Sequence, residues 1–179
     1  MLFKKKISSP FGKLIIVASD TGVQSLLFEN ELNSLPTFKD LKVSKNHPIL
    51  FQCKQELYEY FKGRRLHFSV PLEPQGTDFQ KKVWSALEKI PFGKTISYSE
   101  QAQRMRRNKS VRAVAAANGR NPIPIIIPCH RVIASTGHLH GYAGGLDLKR
   151  KLLEFEGVKI SDWKATKQEA KYYEEFRRR

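Results

Sequence analysis

The chain is 179 residues long and 40% hydrophobic, enough to fill the core of two small domains or of one medium domain. Its 32 Lys and Arg against 17 Asp and Glu give a formal net charge of +15, which indicates an anionic partner, either nucleic acid or an acidic membrane surface. Two cysteines are too few for a disulfide scaffold or a four-thiolate zinc site, and no segment has the apolar length of a membrane span or a signal peptide.

The first elements predicted along the chain are a hairpin and a helix. Two apolar runs, 14–18 and 23–28, are separated by the turn sequence Ser-Asp-Thr-Gly and predict a β-hairpin. Apolar residues at helical spacing predict a helix over 49–61. Cys53 lies on the apolar stripe of that helix, so we expect it to be an inert packing residue.

The next segment predicts a domain boundary. Residues 66–70 fit a further strand, and the prolines and glycine of 71–76 make the best candidate linker. We therefore expect an N-terminal α/β domain over 1–74 and a second domain over 75–160. Residues 161–179 are polar and basic, which is typical of a loose tail.

The second half predicts mostly helices. An amphipathic pattern over 79–90 predicts one helix, and Ser97-Tyr98-Ser99-Glu100 has the form of a capping box that begins another, ending near residue 105. A further helix is predicted over 110–118, so these two short helices and their basic turn fit a helix-turn-helix. Asp147 is expected to cap a last helix that ends at Glu156.

Basic residues are concentrated in this half of the chain. Between Gln80 and Arg120 the sequence has ten basic residues against two acids. Such an imbalance fits contacts to phosphates, whose counterion release makes binding depend on salt. The second helix of the pair places Ala113 and other alanines beside a single long cation, Arg112, so it can approach a groove closely but can read little base sequence.

Cys129 stands next to His130, after a run of three prolines and four isoleucines over 122–128. A thiol is a strong nucleophile only as thiolate, and an imidazole that accepts its proton is the usual means of activation. A Cys-His pair also occurs by chance, and taken alone it fits a buried cysteine in a core strand better. The five histidines form no H-x-x-x-H pattern, so we expect no metal and no cofactor.

The motifs around Cys129 decide between these interpretations, because together they resemble the 6-O-alkylguanine-DNA alkyltransferases in order and spacing. The resembling segments are NPIPIIIPCHRV at 121–132, GYAGG at 141–145, KLLEFEG at 151–157, FQKKVWSALEKIPFGKTISY at 79–98, VRAVAAANGRNP at 111–122 and, more weakly, SPFGKLIIVASDTGV at 9–23. The resemblance implies an α/β (α+β) protein: a small ribonuclease H-like β-sheet domain with a helix, then a mostly helical, winged helix-turn-helix-like alkyltransferase domain. It also implies a bacterial single-function repair protein that is cytoplasmic and associated with the nucleoid, or nuclear if the source is eukaryotic.

The resemblance further implies the reaction and the residues that perform it. The protein would be a monomer that binds double-stranded DNA, not membrane, flips out 6-O-alkylguanine or 4-O-alkylthymine, and transfers the alkyl group irreversibly to Cys129. His130 would take the thiol proton through a water, and Glu156 would hold the imidazole in the correct tautomer. Asn121 would brace the turn before the cysteine, and Tyr98 would crowd the target phosphate and help to protonate the departing base.

Further positions match the family's binding residues. Arg112 would enter the base stack in place of the flipped nucleotide. The resemblance implies other DNA contacts at Gln80, Tyr98, Ser99, Arg107, Ala113 and Ser135. The residues that would line the substrate pocket are Pro124, Tyr142, Ala143, Gly144, Gly145 and Lys149.

Two departures from the family and two other functions bear on this interpretation. Arg106-Arg107-Asn108 stands where most relatives have Gly-x-Pro in the turn between the helices, and Ala143 replaces a serine of some relatives. A non-enzymatic alkylguanine-binding damage sensor is the alternative function, but such proteins lack the cysteine. A helix-turn-helix transcription factor would leave the Cys-His pair without a role.

Overall fold

The computed structural model describes residues 1–29, 41–44, 46–142 and 144–160. Contacts divide the described chain into two compact units, with the boundary between Pro74 and Gln75. No helix in these ranges is long and apolar enough to cross a membrane. The basic tail predicted over 161–179 lies outside the described residues.

The first unit contains a four-stranded sheet. Its strands are β1 (Phe3–Ser9), β2 (Gly12–Ala18), β3 (Val23–Phe28) and β4 (Lys42–Val43), in the order β3-β2-β1-β4. Strand β2 is antiparallel to both β1 and β3, and β4 runs parallel to β1. The predicted hairpin is confirmed as β2 and β3. Strand β1 escaped prediction because three consecutive lysines lie near its start, and they pair with the apolar residues of β2.

The helix of the first unit, α1 (Pro48–Phe61), confirms the predicted stripe. It buries Leu50, Cys53 and Leu57, which are at most 1% exposed. Burial raises the pKa of the Cys53 thiol well above its ordinary value, so this cysteine stays protonated and unreactive.

The strand predicted over residues 66–70 is wrong. The carboxylate of Glu56, which is 3% exposed, accepts the backbone N–H groups of Ser69 (2.8 Å) and Val70 (3.2 Å). These donors are therefore satisfied by a side chain on α1, and no sheet partner is needed. Periodicity cannot show this, because the acceptor lies 13 residues upstream.

The second unit is mostly helical. Together with the sheet of the first unit, it confirms the predicted α+β class. Its elements are α2 (Asp78–Glu88), β5 (Ile96–Ser97), α3 (Tyr98–Arg104), α4 (Val111–Asn118), β6 (Val132–Ile133) and α5 (Leu146–Phe155). Strands β5 and β6 form a short parallel pair. Thr77 and Gln80 form a capping box at α2, and the side chain of Ser97 accepts the Glu100 N–H at the start of α3.

The cap predicted for the last helix is wrong. The residue before α5 is Gly145, with φ of +88°, and no side chain caps the helix. Asp147 lies inside the first turn instead, where its carboxylate pairs with Arg150 and Lys151. An acid in the first turn is favoured by the helix dipole, and this residue fits that role better than a cap.

A buried amide pair fixes the two short helices against each other. Gln101 of α3 and Asn118 of α4 exchange hydrogen bonds of 3.1 and 2.6 Å. The indole N–H of Trp84, on α2, donates to the carbonyl of Ala117 (2.8 Å). Both contacts are buried, so the geometry of this helix pair is set by directional hydrogen bonds as well as by apolar packing.

Candidate active site and DNA-binding surface

Cys129 lies at the start of one short 3-10 turn, Cys129–Arg131, and not in a strand. The residue is 8% exposed, and the isoleucines before it, such as Ile125 and Ile127, are fully buried. Burial raises the pKa of the Cys129 thiol, because a charged sulfur is poorly solvated there. A hydrogen bond from Asn121 and the positive charge of Lys149 act in the opposite direction. The site therefore keeps a thiol at rest but is equipped to stabilise a thiolate.

His130, Arg131 and Glu156 form a buried polar cluster. The imidazole Nε2 lies 2.8 Å from the Glu156 carboxylate, and both side chains are fully shielded from solvent. The Arg131 guanidinium binds the same carboxylate through Nε and one terminal nitrogen, each at 2.9 Å. The backbone N–H of Gly93 adds a fourth contact at 3.1 Å. The carboxylate is therefore held in one orientation.

The charges of the cluster follow from these contacts. Burial acts to raise the pKa of Glu156, but the hydrogen bonds and charges of His130 and Arg131 outweigh it and hold that pKa well below its ordinary value. Burial lowers the pKa of His130, against the opposing effect of Glu156. An ionised carboxylate at Nε2 fixes the proton on that nitrogen. The buried Nδ1 has no hydrogen-bond partner among the described residues, so it is the nitrogen able to accept a proton.

Asn121 braces the loop that leads to the cysteine. Its amide nitrogen donates to the carbonyl of Ile127 (2.7 Å) and to Sγ of Cys129 (3.1 Å), and its amide oxygen accepts the Ile123 N–H (2.9 Å). Within this loop Ile125 has φ of +74°, a conformation that is strained for a β-branched residue. One side chain therefore holds both the strained loop and the sulfur.

Lys149 is a buried cation beside the cysteine. Its ammonium donates to the carbonyls of Val132 (2.6 Å) and His140 (2.7 Å), and its side chain is shielded from water. Burial lowers the pKa of Lys149 to about 8, with a charge on Cys129 acting the other way. The hydroxyl of Tyr98 also donates to the His140 carbonyl (2.7 Å). The pKa of Tyr98 is raised, mainly by burial and to a smaller extent by the charge of Cys129.

The loop before α5 contains Gly144 and Gly145, two glycines that the resemblance to the alkyltransferases places in the substrate pocket. A Cβ on Gly144 would come within 2.7 Å of Leu148, so only glycine fits without a shift. Gly145 uses a positive φ and donates to the Tyr142 carbonyl. Pro124 is half-buried on the loop before the cysteine. Ala143 lies outside the described residues.

The candidate DNA contacts lie on different elements of the second unit. Arg112 and Ala113 are exposed on α4, and Arg107 is exposed in the turn before it. Two hydroxyl residues are also exposed: Ser99 on α3 and Ser135 after β6. Gln80 is different, because its amide oxygen accepts the Thr77 N–H (2.9 Å) in the capping box. That oxygen therefore has a structural partner already.

Sequence reasoning missed two parts of the site. In the sequence, Arg131 is part of the Pro-Cys-His-Arg-Val motif but has no recognisable partner, because the Glu156 carboxylate that it binds lies 25 residues away. The amide pair of Gln101 and Asn118 left no periodic signal. Among the described residues, no group of three or more His, Cys, Asp or Glu is arranged to hold a metal ion.

Fold and site together define a two-unit protein with a helix-turn-helix and a buried thiol next to a buried His-Glu pair. Residues 78–158 match the family model of the 6-O-methylguanine DNA methyltransferase DNA-binding domain. Residues 2–74 match the ribonuclease-like domain of the same proteins. The chain therefore belongs to the 6-O-methylguanine DNA methyltransferase family.

Individual relatives support this assignment. The chain is 52% identical over 161 residues to the methylated-DNA–protein-cysteine methyltransferase of Mycobacterium bovis, covering 87% of this chain and 93% of the relative. It is 43% identical over 150 residues to that of Methanosarcina mazei, covering 84% and 94%. The crystal structure of the Mycobacterium tuberculosis 6-O-methylguanine methyltransferase matches with a TM-score of 0.80 and 39% identity, covering 90% of this chain and 97% of that one. A structure of the same organism's protein in complex with DNA matches with a TM-score of 0.77 and 38% identity, covering 86% and 92%.

Proposed function

We propose that this chain repairs alkylated duplex DNA by moving the alkyl group from the 6-oxygen of a flipped guanine to the sulfur of Cys129. One observation carries the proposal: a buried thiol is adjacent to a neutral histidine whose Nε2 faces an ionised glutamate and whose Nδ1 is free to accept a proton. Family membership supports the same reaction. We infer that the protein acts as a monomer in the compartment of the cell that contains the DNA, because this chemistry needs no second chain and no cofactor.

The chemical step follows from the contacts of the sulfur. Nδ1 of His130 takes the thiol proton, through a water where the direct path is too long, and Glu156 stabilises the imidazolium that forms. The Asn121 N–H and the Lys149 ammonium stabilise the thiolate. Sulfur attacks the first carbon of the alkyl group, the S–C bond forms as the C–O bond breaks, and the electron pair goes to the guanine 6-oxygen.

The departing guanine then needs one proton. Tyr98 is suited to assist, because its hydroxyl lies in a hydrogen-bonded group with the Lys149 ammonium (3.4 Å) and the His140 carbonyl. Nothing in the reaction restores the thiol, since a thioether is stable. Each molecule therefore acts once.

Access to the lesion requires base flipping, because the guanine 6-oxygen inside a duplex cannot reach a buried sulfur. The exposed face of α4 fits this role, because Ala113 and Ala116 allow close approach and Arg112 is long enough to fill the gap in the stack. An alkylated 4-oxygen of thymine presents the same leaving-group chemistry, so it is a second candidate substrate.

Mass spectrometry tests the proposed function. After incubation with duplex DNA that contains one 6-O-methylguanine, we expect one methyl group per protein molecule, on the peptide that contains Cys129. The amount of repaired base should equal the amount of protein and then stop rising. Turnover of many lesions per molecule, or a methyl group on Cys53 instead, would contradict the proposal.

The cluster of His130 and Glu156 gives a second prediction. We expect His130→Ala and Glu156→Gln each to slow single-turnover transfer by roughly 10²-fold, the usual worth of a positioned general base. The double variant should be little slower than the poorer single variant, because both residues serve one proton path. Glu88→Gln, which removes an exposed carboxylate on α2, is the matched control and should react normally.

Folding must be checked in the same series. Glu156→Gln leaves the buried Arg131 with a weaker partner, and this change costs stability. Circular dichroism at the assay temperature separates unfolding from slow chemistry. Multiplicative losses in the folded double variant would show that the two residues do not share a proton path.

A further inference from the structure

The turn between α3 and α4 has an unusual residue at its first position. The backbone N–H of Arg106 donates to the carbonyl of Gln103, and that of Arg107 donates to the carbonyl of Ala102, both at 2.8 Å. This pair of hydrogen bonds is the Schellman motif, whose left-handed residue is usually glycine. Here that residue is Arg106, with φ of +57°. A side chain with a Cβ disfavours this conformation.

Within the ranges that the structure describes, no contact of the Arg106 side chain offsets this strain. The residue is exposed, and its guanidinium makes no hydrogen bond or ion pair with any residue that the structure describes. Arg104, two residues earlier, differs: it pairs with Glu100 at 2.6 Å. The described part of the chain therefore gives Arg106 no side-chain partner that would account for an arginine at this position.

The surroundings of Arg106 indicate an anion. Arg107 and Lys109 are also exposed, and neither pairs with an acid in the described ranges, so the turn contains three unopposed cations in four residues. Clustered like charges repel each other, and an anionic ligand removes that repulsion. The turn leads directly into α4 and its exposed Arg112. The anion nearest to a helix that enters DNA is a phosphate of the DNA backbone.

We propose that Arg106 binds a backbone phosphate of duplex DNA, and that the chain retains a strained left-handed arginine for this contact. The inference rests on the proposed function, in which α4 faces DNA. A glycine at position 106 could not make this contact, because it has no side chain. Because a phosphate contact is independent of base sequence, Arg106 strengthens binding to damaged and undamaged duplex alike.

The variant Arg106→Gly tests both parts of the proposal at once. Glycine relieves the left-handed strain, so we expect the melting temperature to rise by about 2–4 °C for a chain of this size. Glycine also removes the cation, so binding to undamaged duplex should weaken. In a plot of log affinity against log salt concentration, the slope should become shallower by about one unit, the loss of one phosphate contact.

Two controls keep the outcome interpretable. Arg106→Lys retains the cation and the strain, so it should keep the wild-type slope without a rise in melting temperature. Arg64→Gly removes one exposed cation from the first unit and should leave the slope unchanged. An unchanged slope and affinity in Arg106→Gly would overturn the proposal, as would an equal loss in Arg64→Gly. Failure of the wild-type protein to bind duplex or to gain a methyl group would instead contradict the proposed function.

Discussion

Replacement of Cys129 by serine should abolish alkyl transfer and leave binding to alkylated duplex intact. A hydroxyl in the same place is far less acidic than a thiol, and burial that already raises the thiol pKa disfavours an alkoxide still more. We therefore expect the single-turnover rate to fall by roughly a thousandfold or more. The measurement is the methyl content of the protein after long incubation with 6-O-methylguanine duplex.

Binding is the control for that experiment. Serine is nearly isosteric with cysteine, and the contacts of Asn121 with Ile127 and Ile123 do not involve the sulfur. The loop should therefore keep its shape, and the variant should hold alkylated duplex at the wild-type affinity. Cys53→Ser is the matched variant, because it changes the other buried cysteine and should leave transfer unaffected wherever it folds. Methyl transfer by Cys129→Ser would refute the assignment of the acceptor.

Local patterns allowed much of the fold to be predicted from the sequence. The hairpin β2–β3 and the helices α1 to α4 are each specified by apolar spacing and by nearby caps or turns, such as Thr77 and Ser97. One failure involves a partner that is distant in sequence: residues 66–70 are not a strand because Glu56, 13 residues upstream, takes the N–H groups of two residues at the end of that segment. Strand β1 was missed for a local reason, because its three consecutive lysines conceal a strand that pairs with the next strand along the chain.

The distinction between local patterns and partners that are distant in sequence also applies to the site. Cys129 and His130 are adjacent in the chain, so a motif can identify them. The charge states of the cluster depend on Arg131 and Glu156, which lie 25 residues apart and meet only in the folded protein. An arginine in a turn gives by itself no sign of a left-handed backbone, so the conformation of Arg106 could be suspected only from its place where most relatives have glycine.

Arg112→Ala should separate base flipping from sulfur chemistry. Arg112 is exposed on α4 and makes no hydrogen bond or ion pair with the Cys129 cluster among the described residues, so its loss should not alter the thiol. Unstacking a base costs a few kcal/mol, and without a residue to fill the gap we expect transfer from duplex DNA to slow by roughly 10²- to 10³-fold. Reaction with free 6-O-benzylguanine, or with a single-stranded 6-O-methylguanine oligonucleotide, requires no flipping and should stay close to the wild-type rate.

The measurement is the single-turnover rate at saturating protein, so that weaker binding does not contribute. Arg107→Ala is the matched variant: it removes a cation from the turn before α4 without removing a residue that can enter the stack. We expect it to weaken binding to duplex but to keep the saturating rate. Equal losses by Arg112→Ala on duplex and on the free base would place Arg112 in the pocket. Equal losses by both arginine variants on duplex would show that positive charge, and not filling of the gap, supports extrusion.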